Sequence, residues 1–272
     1  MLDWFMDLSL FNQTLIAGLF TWLTTALGAA SVLVAKKVNL KIMDGMLGFA
    51  GGVMIAASFW SLLSPAISRA EESGLPGWLP AAIGFLVGAI FLWAMGKLIP
   101  HMHAYARRNQ PEGLQPEKRK RSTLLILAVT LHNIPEGLAI GVAFGAVATA
   151  VDSTAALVGA STLALGIGLQ NIPEGAAISL PLRREGISRL KSFMYGQFSG
   201  MVEPLSAIAG FLAVTWMAPT LPYALSFAAG AMIFVVVEEV IPGSHENGNK
   251  DMATMCLMIG FVIMMILDVA LG

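Results

Sequence analysis

Eight apolar runs dominate this chain, at roughly 11–35, 42–65, 79–99, 122–149, 155–182, 192–214, 221–241 and 252–271. Each has about the ~20 residues that an α-helix needs to cross a bilayer. None alternates in polarity over ~10 residues, as a membrane β-strand does. The expected fold is all-α: a polytopic membrane protein with eight transmembrane helices. Composition agrees, since only 12% of the 272 residues are charged, about half of what a soluble domain carries. Residues 1–272 read as a single transmembrane domain. The longest loop, about 100–121, is polar, contains proline and is expected to be flexible.

Charge sets the orientation. Fifteen of the sixteen Lys and Arg residues fall in the loops after helices 1, 3, 5 and 7, and only Arg69 falls on the other side. The basic side is cytoplasmic, so both termini are expected to face outward. A net charge of −1 gives no case for a nucleic-acid partner; the partner is the lipid membrane. The lone cysteine, Cys256, excludes an internal disulfide and a CxxC metal site. Acids in MLDWFMDLSL occupy positions where a signal peptide needs basic residues, so the mature chain is expected to begin at Met1.

Two apolar runs carry a polar motif with a proline inside it: HNIPEG at 132–137 and QNIPEG at 171–176. Asn133 lies twelve residues beyond Arg121, Asn171 twelve before Arg183, and Glu203 twelve beyond Lys191. At a helical rise these are ~18 Å from a basic cytoplasmic end, near the middle of a ~30 Å hydrocarbon core. Helical spacing places His132 with Glu136, and Gln170 with Glu174, on shared faces. Pro135 and Pro173 are expected to break their helices by clashing with the carbonyls of Leu131 and Leu169. Pro204, directly after Glu203, repeats the device.

Counter-charge decides what this polarity is for. No Lys or Arg occurs between Arg121 and Arg183, or between Lys191 and Lys250. Glu136, Glu174 and Glu203 therefore have no basic partner on their own helices. Buried carboxylates in that position are costly unless protonated or paired with a metal. Carboxylates, one imidazole, amide oxygens and a thioether suit a borderline divalent ion such as Zn²⁺, Cd²⁺, Fe²⁺ or Mn²⁺. Protonated acids bonded to the amides are the alternative.

These motifs, with GFAGGVMIAASF (48–59) upstream and GMVEPL (200–205) downstream, resemble the ZIP family of zinc and iron transporters, most closely its bacterial branch. The resemblance covers essentially the whole chain. It implies a transporter, not an enzyme, that moves a divalent metal into the cytoplasm across the inner membrane of a bacterium. The metal is bound as substrate, with no cofactor. It implies a binuclear centre: His132, Glu136, Gln170 and Glu174 with Met54 of helix 2 nearby, and a second sub-site of Asn133, Asn171 and Glu203, bridged by Glu136 and Glu174. It also implies an inverted repeat of helices 1–3 and 6–8 around helices 4 and 5, elevator-like movement, and a homodimer as in many relatives. Gln170 stands where many eukaryotic members carry histidine, and Glu238–Glu239 where a His-Glu pair is common.

Three further acids are candidates for the ion's path. Asp268, near the outward end of helix 8, is placed to collect cations at the mouth, and Glu238 and Glu239 to line an exit. The rival readings are an intramembrane metalloenzyme and a cation channel. A zinc protease needs HExxH, and the neighbour of His132 is Asn133. A channel presents rings or repeated filters, whereas this chain concentrates its ligands in one cluster.

Overall fold

The computed structural model describes residues 3–35, 39–98, 121–184, 186–216 and 218–271, and among them there is no strand. The long helices are α1 (Leu10–Val34), α2 (Leu40–Glu72), α3 (Trp78–Lys97), α4 (Arg121–Val147), α5 (Ser153–Arg183), α6 (Arg189–Trp216), α7 (Leu221–His245) and α8 (Lys250–Ala270). All but α4 are both long and apolar enough to cross a membrane; α4 is 27 residues long. The chain is thus an all-helical, multi-pass membrane protein. Nearly all of the loop about 100–121, with His101 and His103, lies outside the described residues.

Local chemistry fixes the helix starts. Ser9 Oγ accepts from Asn12 N (3.3 Å) and Asn39 Oδ1 from Lys41 N (3.0 Å). Asp152 Oδ1 accepts from Ala155 N (3.0 Å) at the start of α5. Each satisfies an amide that the first helical turn leaves without a partner.

Two of the three motif prolines behave differently from expectation. α4 and α5 run through Pro135 and Pro173 without interruption. Each interior proline removes one hydrogen bond, and tight packing on both sides holds the rest of the ladder. The helix that does break is α6, where Met201 is a turn residue between Arg189–Gly200 and Val202–Trp216. The break puts Glu203 in the first turn of the second half, where the positive end of the helix dipole favours an acid.

Two π-helical segments were not legible in the sequence: Ser58–Leu63 in α2 and Val236–Val240 in α7. In each, a widened turn precedes a proline, Pro65 or Pro242. The Ser64 amide donates to the Phe59 carbonyl and the Ile241 amide to that of Val236. Such a bulge re-aims the side chains after it and is often found at functional positions.

Among the most extensive helix contacts are those of α1 with α5, α4 with α6, α2 with α8 and α3 with α7. Glycine makes these approaches possible. A methyl group on Gly28 would run into the Ile172 carbonyl, one on Gly141 into that of Ala207, one on Gly52 into that of Leu257, and one on Gly88 into that of Phe227. Without a hydrophobic drive between helices in lipid, such backbone contact supplies the packing energy. Gly141→Ala should therefore force α4 from α6 and cost ~1–3 kcal/mol. Thermal unfolding in detergent would show it as a lowered Tm; an unchanged Tm would mean that the α4–α6 contact is looser than described. Elsewhere, the Arg69 guanidinium donates to the Ala146 carbonyl (3.0 Å) and Thr149 Oγ1 (3.3 Å), tying the end of α2 to the end of α4.

Candidate metal centre

The three motif helices bring their polar residues into one buried cluster. Asn133, Glu136, Gln170, Asn171 and Glu203 are fully buried, and Glu174 nearly so. Glu203 is the hub of one half. Its Oε1 accepts from Asn133 Nδ2 (3.1 Å) and Thr25 Oγ1 (3.2 Å), and its Oε2 from Asn171 Nδ2 (2.7 Å). In the other half, Gln170 Nε2 donates to Glu136 Oε1 (2.5 Å). The carboxyls of Glu136 and Glu174 lie near enough to interact with each other. Both also feel the charge of Glu203. They stand between the two halves.

The orientation of the amides has a consequence. Each carboxamide directs its NH₂ at a carboxylate, so its oxygen points elsewhere. Asn133 Oδ1, Gln170 Oε1 and Asn171 Oδ1 are buried and accept no hydrogen bond, and the same holds for Glu136 Oε2 and Glu174 Oε2. A buried acceptor without a donor costs ~1–3 kcal/mol. Five in one cluster form an oxygen-rich donor set that a cation satisfies. Among the described residues no three His, Cys, Asp or Glu side chains are arranged to hold a metal ion by themselves, so an ion here must draw on the amide oxygens as well.

His132 sits at the edge of the cluster. It lies close enough to Glu174 for its charge to be felt, and its Nε2 is 3.2 Å from Glu239 Oε1 on α7. The widened turn of α7 aims Glu239 inward, whereas Glu238 is exposed. His132, Glu238 and Glu239, with Lys97 at the end of α3, line a cavity of about 210 Å³. Met54 is buried in the main apolar core with Leu163, Ile167 and Met264. Asp268 is apart from the cluster: Ser61 Oγ donates to its Oδ1 (2.6 Å), and its Oδ2 is buried with no donor.

Sequence reading missed three polar residues. Thr21 and Thr25 on α1 reach the cluster, but threonine spaced along an apolar helix looks like packing. Asp44 is buried at the other end of α2, where Asn247 Nδ2 donates to its Oδ1 (2.7 Å) and Asn249 Nδ2 to its Oδ2 (2.9 Å). An aspartate inside an apolar run, with NGN between α7 and α8, was the available signal for that clasp.

The family model for the ZIP zinc transporters matches residues 109–268, the segment that holds both motifs and Glu203. The chain belongs to the ZIP family. It is 41% identical to the human zinc transporter ZIP11, over 96% of this chain and 97% of that protein. It is 39% identical to the zinc transporter GufA of Myxococcus xanthus, over 95% and 98%. With the zinc transporter ZIPB of Bordetella bronchiseptica it shares 38%, over 96% and 82%. Similarity thus extends to animal as well as bacterial members of this ZIP family, whose members are transporters rather than enzymes.

Proposed function

We propose that this ZIP-family chain carries Zn²⁺, and related divalent ions such as Cd²⁺, Fe²⁺ or Mn²⁺, into the cytoplasm across a bacterial inner membrane. The ion passes through a binuclear centre on α4, α5 and α6. The observation that carries this reading is the set of five donorless oxygens among three glutamates whose helices offer no basic partner. His132, Glu136, Gln170 and Glu174 would hold one ion, with Met54 a candidate thioether beside them. Asn133, Asn171 and Glu203 would hold the other, with Glu136 and Glu174 between. A mixed amide and carboxylate set binds less tightly than a structural zinc site, which lets the ion leave. Asp268 would gather cations at the outer mouth. Glu239, with Glu238 in the cavity that reaches Lys97, would draw the ion from His132 toward the cytoplasm.

The packing supports eight spans with both termini outward and an inverted repeat of α1–α3 and α6–α8. Under that repeat α1 against α5 corresponds to α6 against α4, and α2 against α8 to α7 against α3. These pairs are among the most extensively packed. The π segments also fall in α2 and α7, which correspond. Elevator-like movement fits a division of labour: glycine locks backbone to backbone within these pairs, while the atoms nearest a methyl group on Gly166 of α5 would be side-chain ones, of Met264 on α8 and Val53 on α2.

Purified protein in zinc-loaded or zinc-free liposomes tests the proposal. Saturable, slow uptake of Zn²⁺ is expected; channel-like flux, or none, would contradict it. Gln170→His should tighten apparent zinc affinity about tenfold and slow turnover, because imidazole is a better zinc ligand than an amide oxygen. An unchanged KM at equal expression would remove Gln170 from the ligand set.

A further inference from the structure

α1 contributes nothing to the site by motif, yet four polar side chains on it are buried: Gln13, Thr14, Thr21 and Thr25. Thr14 Oγ1 turns back to the Leu10 carbonyl (2.8 Å), and Thr21 Oγ1 to that of Gly18 (3.1 Å). Both satisfy themselves within their own helix, as threonine commonly does. Thr25 differs. Its Oγ1 is 3.2 Å from Glu203 Oε1 while remaining 3.2 Å from the Thr21 carbonyl. That same Thr21 carbonyl accepts a second bond, from Asn171 Nδ2 (3.1 Å). The result is a closed ring: the Thr25 hydroxyl, the Glu203 carboxylate, the Asn171 amide and the Thr21 carbonyl.

The surroundings hold Thr25 in this place. A methyl group on Gly175 would run into the Thr25 carbonyl, and one on Gly200 would meet Thr25 Cβ and Cγ2 at 2.9 Å and Glu203 Oε1 at 3.0 Å. Bare backbone on α5 and α6 makes a slot for a small β-branched side chain. Whatever α1 does in that slot, it does to Glu203.

We infer that Thr25, with the Thr21 carbonyl, is a positioning residue for the Glu203 side of the centre. The hydroxyl fixes which way the Glu203 carboxylate presents its oxygens. The Thr21 carbonyl takes one hydrogen of the Asn171 amide while Glu203 Oε2 takes the other, so the Asn171 oxygen is left aimed at a cation. An outer-shell partner of this kind changes metal affinity by ~10–100-fold when removed. The inference rests on the reading of Glu203 and Asn171 as ligands.

The test is calorimetric titration of Zn²⁺ alone into detergent-purified wild type, Thr25→Val, Thr25→Ser and Glu203→Gln, with thermal unfolding of each. Valine keeps the shape of threonine and removes the hydroxyl. Thr25→Val should weaken one of two binding events about tenfold and leave the other unchanged, with a Tm near wild type, and Thr25→Ser should restore it. If Glu203→Gln weakens that event but Thr25→Val does not, the positioning role is wrong and Glu203 stands as a ligand. If neither weakens binding, Glu203 is not a ligand and the reading beneath the inference fails. Loss of both events in Thr25→Val together with a lowered Tm, or failure of Thr25→Ser to rescue, would make Thr25 a packing residue only.

Discussion

Glu174→Ala should reduce zinc uptake in proteoliposomes to background, ~100-fold or more below wild type. Glu174 lies between the two halves of the cluster, near Glu136 and close enough to His132 and Glu203 to interact electrostatically with both. Removing a bridging carboxylate takes a ligand from each ion at once. Glu203→Ala removes a ligand from one half only and should leave measurable uptake. Glu174→Gln separates charge from shape: it keeps an oxygen ligand but not the negative charge, and should fall close to Glu174→Ala. Wild-type uptake by Glu174→Ala, with the protein folded and inserted, would remove the metal centre from these helices.

The second large effect is a proton one. Glu136 and Glu174 are buried acids near each other, and two such carboxylates repel unless a proton or a cation is shared between them. No Lys or Arg lies between Arg121 and Arg183 to take its place. A divalent ion bound by both carboxylates must expel that proton, because a metal binds the ionised form. Binding of Zn²⁺ to detergent-solubilised protein should therefore release about one proton per cluster at neutral pH. By linkage, apparent affinity should weaken by up to about tenfold for each unit of acidification while one proton is being displaced. A pH dye in weakly buffered protein reads the release directly. No release, or tighter binding in acid, would mean that the carboxylates are already ionised by another partner.

The helical architecture was legible because hydrocarbon thickness forces run length, and the runs predicted for α1 to α8 fall on observed helices. The cluster was legible because 3.6-residue periodicity and the absence of Lys and Arg are both properties of the chain alone. What periodicity could not show is where a helix changes its turn. Pro135 and Pro173 looked like breaks and are not, while α6 does break at Met201, within one turn before Pro204; three prolines in similar motifs read alike in the sequence, and only packing separates them. The π turns that aim Glu239 at His132 and bring Ser61 to Asp268 depend on how neighbouring helices accept a displaced carbonyl. Thr25 was silent for another reason. A threonine that bonds its own helix and one that holds a neighbour's carboxylate read the same in sequence, and only the Gly175 and Gly200 slot tells them apart.

Anomalous scattering at the zinc absorption edge, from crystals of the zinc-loaded protein, addresses the central claim most directly. The account predicts density between α4 and α5, with an oxygen of Glu136 and one of Glu174 each ~2.0–2.2 Å from a zinc ion, and a second ion on the Glu203 side at higher occupancy as zinc is raised. Zinc found only at Asp268, at His245 or on the surface, with no ion between Glu136 and Glu174, would contradict it.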